Sequence, residues 1–271
     1  MMKSQWECLL ENLGEWQGSF TRVSPQGELL EDIPTVVSLE GLDNNQMIRQ
    51  VVKRLIPGSE ERVLEYRSLS RSILFFENGA FSQGSIQFGP FSEFGAEFGL
   101  IDGNRRLRLV QLFNQESRLD QLTLIREKLA GTDSLERPPL KLDDLIGEWQ
   151  GEAITLYPDW RNPDTYATKL QLQREGDRLL QQLFYGGDRT ITSTAQINGA
   201  ILDFEAGIQK NRVLLLPDGA SSMCPLQIQP RQPIFLEMGW LLQPDLRQRI
   251  VRSYNSKGEW VSLTLVTERK V

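Results

Sequence analysis

Apolar and polar residues alternate in short runs along most of this chain, and turn signals separate the runs. A period of two over four to nine residues predicts strands rather than helices. In the first half these runs lie at residues 17–23, 35–40, 47–55, 62–68, 72–76, 84–88, 93–101, 105–113 and 118–126. Pro25-Gln26-Gly27, Gly41-Leu42-Asp43, Pro57-Gly58, Asn78-Gly79 and Asp102-Gly103-Asn104 divide them, residue types that supply the backbone angles of tight turns. The second half is punctuated in the same way, at Glu175-Gly176-Asp177, Gly186-Gly187-Asp188, Asn198-Gly199, Pro217-Asp218-Gly219 and Ser256-Lys257-Gly258. Only two short segments read as helix. Ser4-Gln5-Trp6-Glu7 has capping-box spacing, and Trp6, Leu9, Leu10 and Leu13 form one apolar stripe, predicting a helix over 5–13 that stops at Gly14. Residues 142–146 repeat the idea before Gly147.

The pattern occurs twice. Gly14-Glu15-Trp16-Gln17-Gly18 returns 133 positions later, residue for residue, as Gly147-Glu148-Trp149-Gln150-Gly151. Arg106-Leu107-Arg108-Leu109-Val110 and Phe113-Asn114 correspond to Arg247-Gln248-Arg249-Ile250-Val251 and Tyr254-Asn255, now 141 positions apart. Leu122-Thr123-Leu124 maps onto Leu263-Thr264-Leu265, with Glu127-Lys128 beside the similar Glu268-Arg269-Lys270. The expected architecture is all-β: two tandem antiparallel up-and-down barrels, each preceded by a short helix, because closure leaves no exposed sheet edge. Residues 1–133 form the first unit and 134–271 the second, joined through Gly131-Thr132-Asp133-Ser134 and Arg137-Pro138-Pro139, which are polar and locally stiff. The growth of the repeat spacing calls for an insertion. It is expected in the loop from Tyr157 to Asp164, whose aromatic pair could fold over a barrel mouth. With the larger shift, the halves differ at Phe98/Gly239, Gly99/Trp240 and Phe113/Tyr254.

Composition narrows the chemistry. The formal net charge is -6, with no long basic block, so a nucleic-acid partner is not expected. Cys8 and Cys224 sit at non-equivalent places, which is no disulfide framework and fits a reducing, cytoplasmic setting. The first ten residues lack the long apolar core of a secretory signal, and no run of 18 apolar residues predicts an integral membrane segment. There is no histidine at all. Its absence removes His-ligated haem, Ser-His-Asp and Cys-His catalysis, and the usual near-neutral proton shuttle.

Several residues stand out as candidates. Trp16 and Trp149 read as plugs of the closed barrel ends, with ligand stacking as the alternative. Arg106 with Arg108, and Arg247 with Arg249, lie two apart and therefore share a strand face. If that face points inward, two cations in a cavity need anionic partners. A ligand carboxylate could meet the guanidinium fork, or the arginines could bond across the sheet or face water. The second unit is the stronger candidate, since Trp240, Arg247, Arg249 and Tyr254 surround one strand pair and Glu237 lies close by, a proton donor or an arginine partner. Phe91, Phe94 and Phe98 read as core with one or two exposed members. Cys224 before Pro225 is a loop thiol with no neighbouring base, and no pair of carboxylates has catalytic spacing. Whether the protein is an enzyme stays open.

The Leu-Gly-Glu-Trp-Gln-Gly opening at residues 13–18, repeated at 146–151 with Ile146 in first place, resembles the calycin superfamily of lipocalin-like barrels. Leu216-Pro217-Asp218-Gly219, Glu237-Met238-Gly239-Trp240-Leu241 and the run from Arg247 to Tyr254 resemble a cyanobacterial and plastid family, domain of unknown function 3598. More distantly, Arg247-Gln248-Arg249 with Tyr254 is similar to the arginine-rich strand of S/U-type phycobiliprotein lyases, which hold an open-chain tetrapyrrole. These resemblances imply a lipocalin-like barrel in each half. They imply binding of a small hydrophobic or amphipathic acidic ligand, a bilin or a lipid, mainly in the second barrel, with Trp240, Arg247, Arg249, Tyr254 and Glu237 as the ligand-binding set. A chromophore lyase with a phycobiliprotein client is one alternative. A structural or assembly module with filled barrels is the other. Haem-binding barrels with the same opening use a histidine that this chain lacks.

Overall fold

A computed structural model describes residues 3–187 and 189–271. The first half contains α1 (Gln5–Leu10) and strands β1 (Gly14–Val23), β2 (Leu29–Leu42), β3 (Met47–Arg54), β4 (Arg62–Tyr66), β5 (Ile73–Phe75), β6 (Phe81–Gly84), β7 (Phe94–Asp102), β8 (Arg105–Phe113) and β9 (Leu119–Leu129). The second contains α2 (Leu142–Leu145) and β10 (Gly147–Leu156), β11 (Asp164–Glu175), β12 (Arg178–Tyr185), β13 (Arg189–Asn198), β14 (Ile201–Phe204), β15 (Asn211–Leu215), β16 (Ala220–Pro225), β17 (Ile234–Gln243), β18 (Leu246–Tyr254) and β19 (Trp260–Lys270).

Only one of the two expected barrels closes. In the second half, ten antiparallel strands run in order from β10 to β19, and β19 pairs back onto β10. The first half is a nine-stranded open sheet ordered β4-β3-β2-β1-β9-β8-β7-β6-β5, a half-barrel with free edges at β4 and β5. The cause is one missing strand. Ladder register makes Tyr66 the counterpart of Ala195, and Phe75 that of Leu215. Nine positions separate Tyr66 from Phe75, and twenty separate Ala195 from Leu215. The extra chain builds β14, which bridges β13 and β15. The additional residues of the second half therefore lie here, not in the loop from Tyr157 to Asp164. In the first half, residues 67–72 return from β4 to β5 without joining a ladder.

Each half begins alike, for legible reasons. Ser4 caps α1: Glu7 N donates to Ser4 Oγ at 3.2 Å and Ser4 N to Glu7 Oε2 at 2.7 Å. Trp16 and Trp149 are buried at the helix-bearing ends of the half-barrel and the barrel, donating from Nε1 to Asn12 O (3.0 Å) and Leu145 O (2.8 Å), four residues upstream. The two glycines of the repeated block have different jobs. Gly14 and Gly147 adopt φ of +130° and +126°, where a side chain is strained. At Gly18 a Cβ would lie 1.8 Å from Arg126 O, and at Gly151 2.2 Å from Thr267 O, because the strands cross closely there.

The largest apolar core is between the halves rather than inside either sheet. Phe94, Phe98, Leu107, Leu109 and Leu122 of the first half meet Met238, Trp240, Ile250, Tyr254 and Leu263 of the second. The contact repeats with the partners exchanged. Phe88 N donates to Gly258 O and Ile228 N to Ser117 O, both at 2.8 Å; Trp260 N donates to Ile86 O at 2.9 Å and Leu119 N to Leu226 O at 2.8 Å. Each bond has its mirror under the internal repeat, as in the isologous interface of a symmetric dimer. This contact also explains one misplaced element. The alternation at 84–88 is not a strand of the first sheet; that strand ends at Gly84, and the following residues bond to the second half. Phe91 alone of its aromatic group is exposed, at positive φ.

Candidate functional site

Strand alternation turns Arg106 and Arg108 inward from β8, and Arg247 and Arg249 inward from β18. In each half they meet two inward carboxylates. Arg108 binds Glu127 in a fork, Nε to Oε2 at 3.1 Å and Nη2 to Oε1 at 2.9 Å, while Nη1 reaches Glu97 at 2.7 Å and Arg106 Nε reaches Glu127 at 2.7 Å. Arg249 repeats the fork on Glu268 at 2.9 and 3.1 Å and reaches Glu237 at 3.3 Å, with Arg247 Nη1 3.5 Å from Glu268. Burial pushes the Glu127 carboxyl up, but Arg106 and Arg108 pull it further down, to about 2. Burial lowers the Arg108 and Arg249 pKa values, yet their paired carboxylates raise both overall. For Arg106 and Arg247 burial wins and both are lowered. Each cluster holds two cations and two anions, so it is charge-balanced before any ligand arrives.

The sequence drew attention to the arginines but not to the carboxylates that answer them, Glu127 and Glu268. Their signal was present as the repeated Glu beside Lys or Arg in the last strand of each half. Ladder register sets Arg106 opposite Glu127 and Arg247 opposite Glu268, a pairing that sequence distance does not reveal.

The cluster of the second half sits on a cavity of about 460 Å³ inside the closed barrel, walled by Leu170, Leu183, Phe204 and Val213. Glu237, Arg247 and Arg249 all line it. Among the described residues, the buried Thr168 Oγ1 and Arg247 Nε have no hydrogen-bond partner, nor does Asn211 Oδ1. The first half borders a larger, open space of about 1180 Å³, lined by Phe20, Val37, Leu39, Phe75 and Phe81 with Arg106 and Arg108.

Trp240 and Tyr254 are not on the cavity with the other three expected site residues. They project from the opposite face of the wall into the interface between the halves. Trp240 donates to Asp218 O at 2.8 Å, and the Arg137 guanidinium stacks on its ring at 4.4 Å. Tyr254 donates to Ser85 O of the first half at 2.8 Å and accepts from Arg252 at 2.7 Å. Arg252 lies on the Trp260 ring at 3.5 Å and donates to Ser85 O at 3.1 Å. These residues join the halves. The comparison of unlike positions also needs correction, because a bulge between Leu241 and Gln243 shifts β17 by one. Gly99 then corresponds to Gly239, Leu100 to Trp240 and Phe98 to Met238, since Gly99 pairs with Arg108 and Gly239 with Arg249.

The remaining candidates fall outside both cavities. Cys224 is a strand residue, not a loop thiol, and burial pushes its pKa up to about 12. Trp160 is exposed in the loop between β10 and β11, where Arg161 stacks on Tyr157 at 3.5 Å. Among the described residues, no helix is long and apolar enough to cross a membrane.

Comparison with known proteins gives two family matches. Residues 2–132 match the N-terminal part of domain of unknown function 3598 (DUF3598), and residues 136–271 match the C-terminal domain of biogenesis factor required for ATP synthase 1. A solved protein of unknown function from the DUF3598 family of Nostoc punctiforme PCC 73102 is 57% identical over 100% of both chains, with a TM-score of 0.96. An S-type phycobiliprotein lyase from Guillardia theta is 12% identical, covering 48% of this chain and 89% of its own, with a TM-score of 0.38, too low to carry an argument. No curated protein matches the chain.

Proposed function

The chain belongs to the DUF3598 family, and on that premise we propose that it is a binding protein in the biogenesis of an ATP synthase. One observation carries this reading: the whole second half matches a domain described by that role. The geometry agrees with a holding rather than a catalytic part. Two sheets share one apolar core, so the molecule presents a stiff body to a client, and the charged groups inside each half already neutralise one another. The test is binding of the full chain to separately purified ATP synthase subunits. Saturable binding to at least one subunit is expected, together with loss of assembled enzyme when the protein is deleted. Unchanged assembly in the deletion strain would overturn the proposal.

A second reading concerns the closed barrel, whose cavity falls within the roughly 300–1,000 Å³ of small-molecule sites. Its walls suit a small amphipathic ligand, and Thr168, Asn211 and Arg247 offer polar atoms free to bind it. An acidic ligand, whether bilin or lipid, has to compete with Glu268 and Glu237 for Arg249. Trp240 and Tyr254 act on such a site only by holding the wall. Titration with bilins and fatty acids, read by absorbance and Trp emission, tests it; Arg249→Ala is expected to weaken an acidic ligand more than Arg108→Ala. Co-expression with phycobiliprotein subunits separates carrier from lyase, since only a lyase leaves a covalent adduct.

A further inference from the structure

We propose that the half-barrel of the first domain holds a long-chain amphiphile with an uncharged hydroxyl head, seated against Arg106 and Asn12. The space of about 1180 Å³ exceeds the roughly 1,000 Å³ upper range of drug-sized sites, and its aromatic and aliphatic walls suit a hydrocarbon chain. On its wall two polar atoms are buried without partners among the described residues, Arg106 Nη2 and Asn12 Oδ1. Both residues line the cavity and are 2% exposed. An unpaired buried polar group is costly, so a ligand that pairs it gains affinity and selectivity.

Both atoms belong to residues that flank one indole. The Arg106 guanidinium lies 4.5 Å from the Trp16 ring centre, and Asn12 O accepts from Trp16 Nε1 at 3.0 Å. The Asn12 amide is oriented by Nδ2 donating to Gly79 O at 2.9 Å, which leaves Oδ1 as a fixed acceptor. The head must therefore accept from Arg106 and donate to Asn12. A hydroxyl does both. A carboxylate only accepts, leaves Asn12 unpaired, and adds a third anion to Glu97 and Glu127 against two arginines. Ser68, Leu69 and Ser70 of the unladdered return at residues 67–72 also line the cavity.

Hexadecanol and hexadecanoate share a chain length and differ at the head, so they are the probes. Each is titrated into the full chain, with bound molecules counted by native mass spectrometry and Trp emission recorded. One hexadecanol per chain is expected, bound about tenfold tighter than hexadecanoate, the equivalent of one lost hydrogen bond. Val52→Trp, which fills this cavity from β3, should abolish binding, whereas Val213→Trp in the closed barrel should not. Asn12→Leu should erase the preference for the alcohol; this ratio remains readable if Val52→Trp fails to fold. No saturable binding, preference for the acid, or loss of binding only with Val213→Trp would overturn the proposal.

Discussion

The two sheets share their opening block, plug tryptophan and four-member charge cluster, yet one closes into a barrel and the other stays open. Those shared features therefore do not determine closure. What differs is a short segment: residues 201–204 join ladders on both sides, whereas residues 67–72 join none. The scaffold motifs fix where strands begin and cross, while a strand far from them decides whether the ring completes. The open half compensates at one edge with a side chain. Gln5 donates to Phe75 O at 2.8 Å and accepts from Phe75 N at 2.7 Å, taking the place of a neighbouring strand.

The strongest challenge to this comparison is to strike the shared cluster in each half. Glu127→Gln and Glu268→Gln each remove the anion between two buried arginines, and each should cost about 3–5 kcal/mol of stability in chemical denaturation. Similar losses would show that the clusters do the same job; a small loss in the open half would break the equivalence. Because the core spans both halves, each variant should still melt in a single calorimetric transition.

Acid provides the next largest effect. The folded Glu127 carboxyl lies at about 2, below its unfolded value near 4.3. Its stabilisation is therefore complete above the unfolded value and is lost as pH falls from there towards 2. Urea midpoints measured across that window should drop steadily, and Glu127→Gln should flatten the curve.

A smaller effect separates the halves. Gln5→Ala removes both bonds on the β5 edge, at a cost of about 1–2 kcal/mol. Hydrogen exchange should quicken at Phe75, with β13 to β15 unchanged. In the unmodified protein, β4 amides should already exchange faster than those of β13, since only β13 has ladder partners on both sides. The smallest difference concerns the thiols. Cys8 and Cys224 are both buried and both have raised pKa values. Neither should react quickly with a thiol reagent at neutral pH, but Cys8, on the helix beside the open sheet, should label first.

Much of this was legible in the residues. The duplicated block located both plugs and both helices, although α1 stops at Leu10, three residues short of the expected end, and spacing by two placed each arginine pair on one face. The misreadings have physical causes. Closure depended on whether residues 67–72 would find ladder partners, which no local pattern encodes. Trp240 stands three residues from Glu237, and Tyr254 five from Arg249, so strand parity puts them on opposite faces of the wall. Nearness in sequence obscured that parity. The shift at Leu242 was invisible because a bulge adds one residue without changing composition.

The mirrored bonds between the halves have a consequence for how such a molecule can change. In an assembly of two identical chains, every substitution strikes both copies, so an opened ring in one would be an opened ring in the other. Covalent linkage lifts that constraint: one copy can lose a staple and widen while its sibling stays shut, and the seam between them keeps its old twofold form.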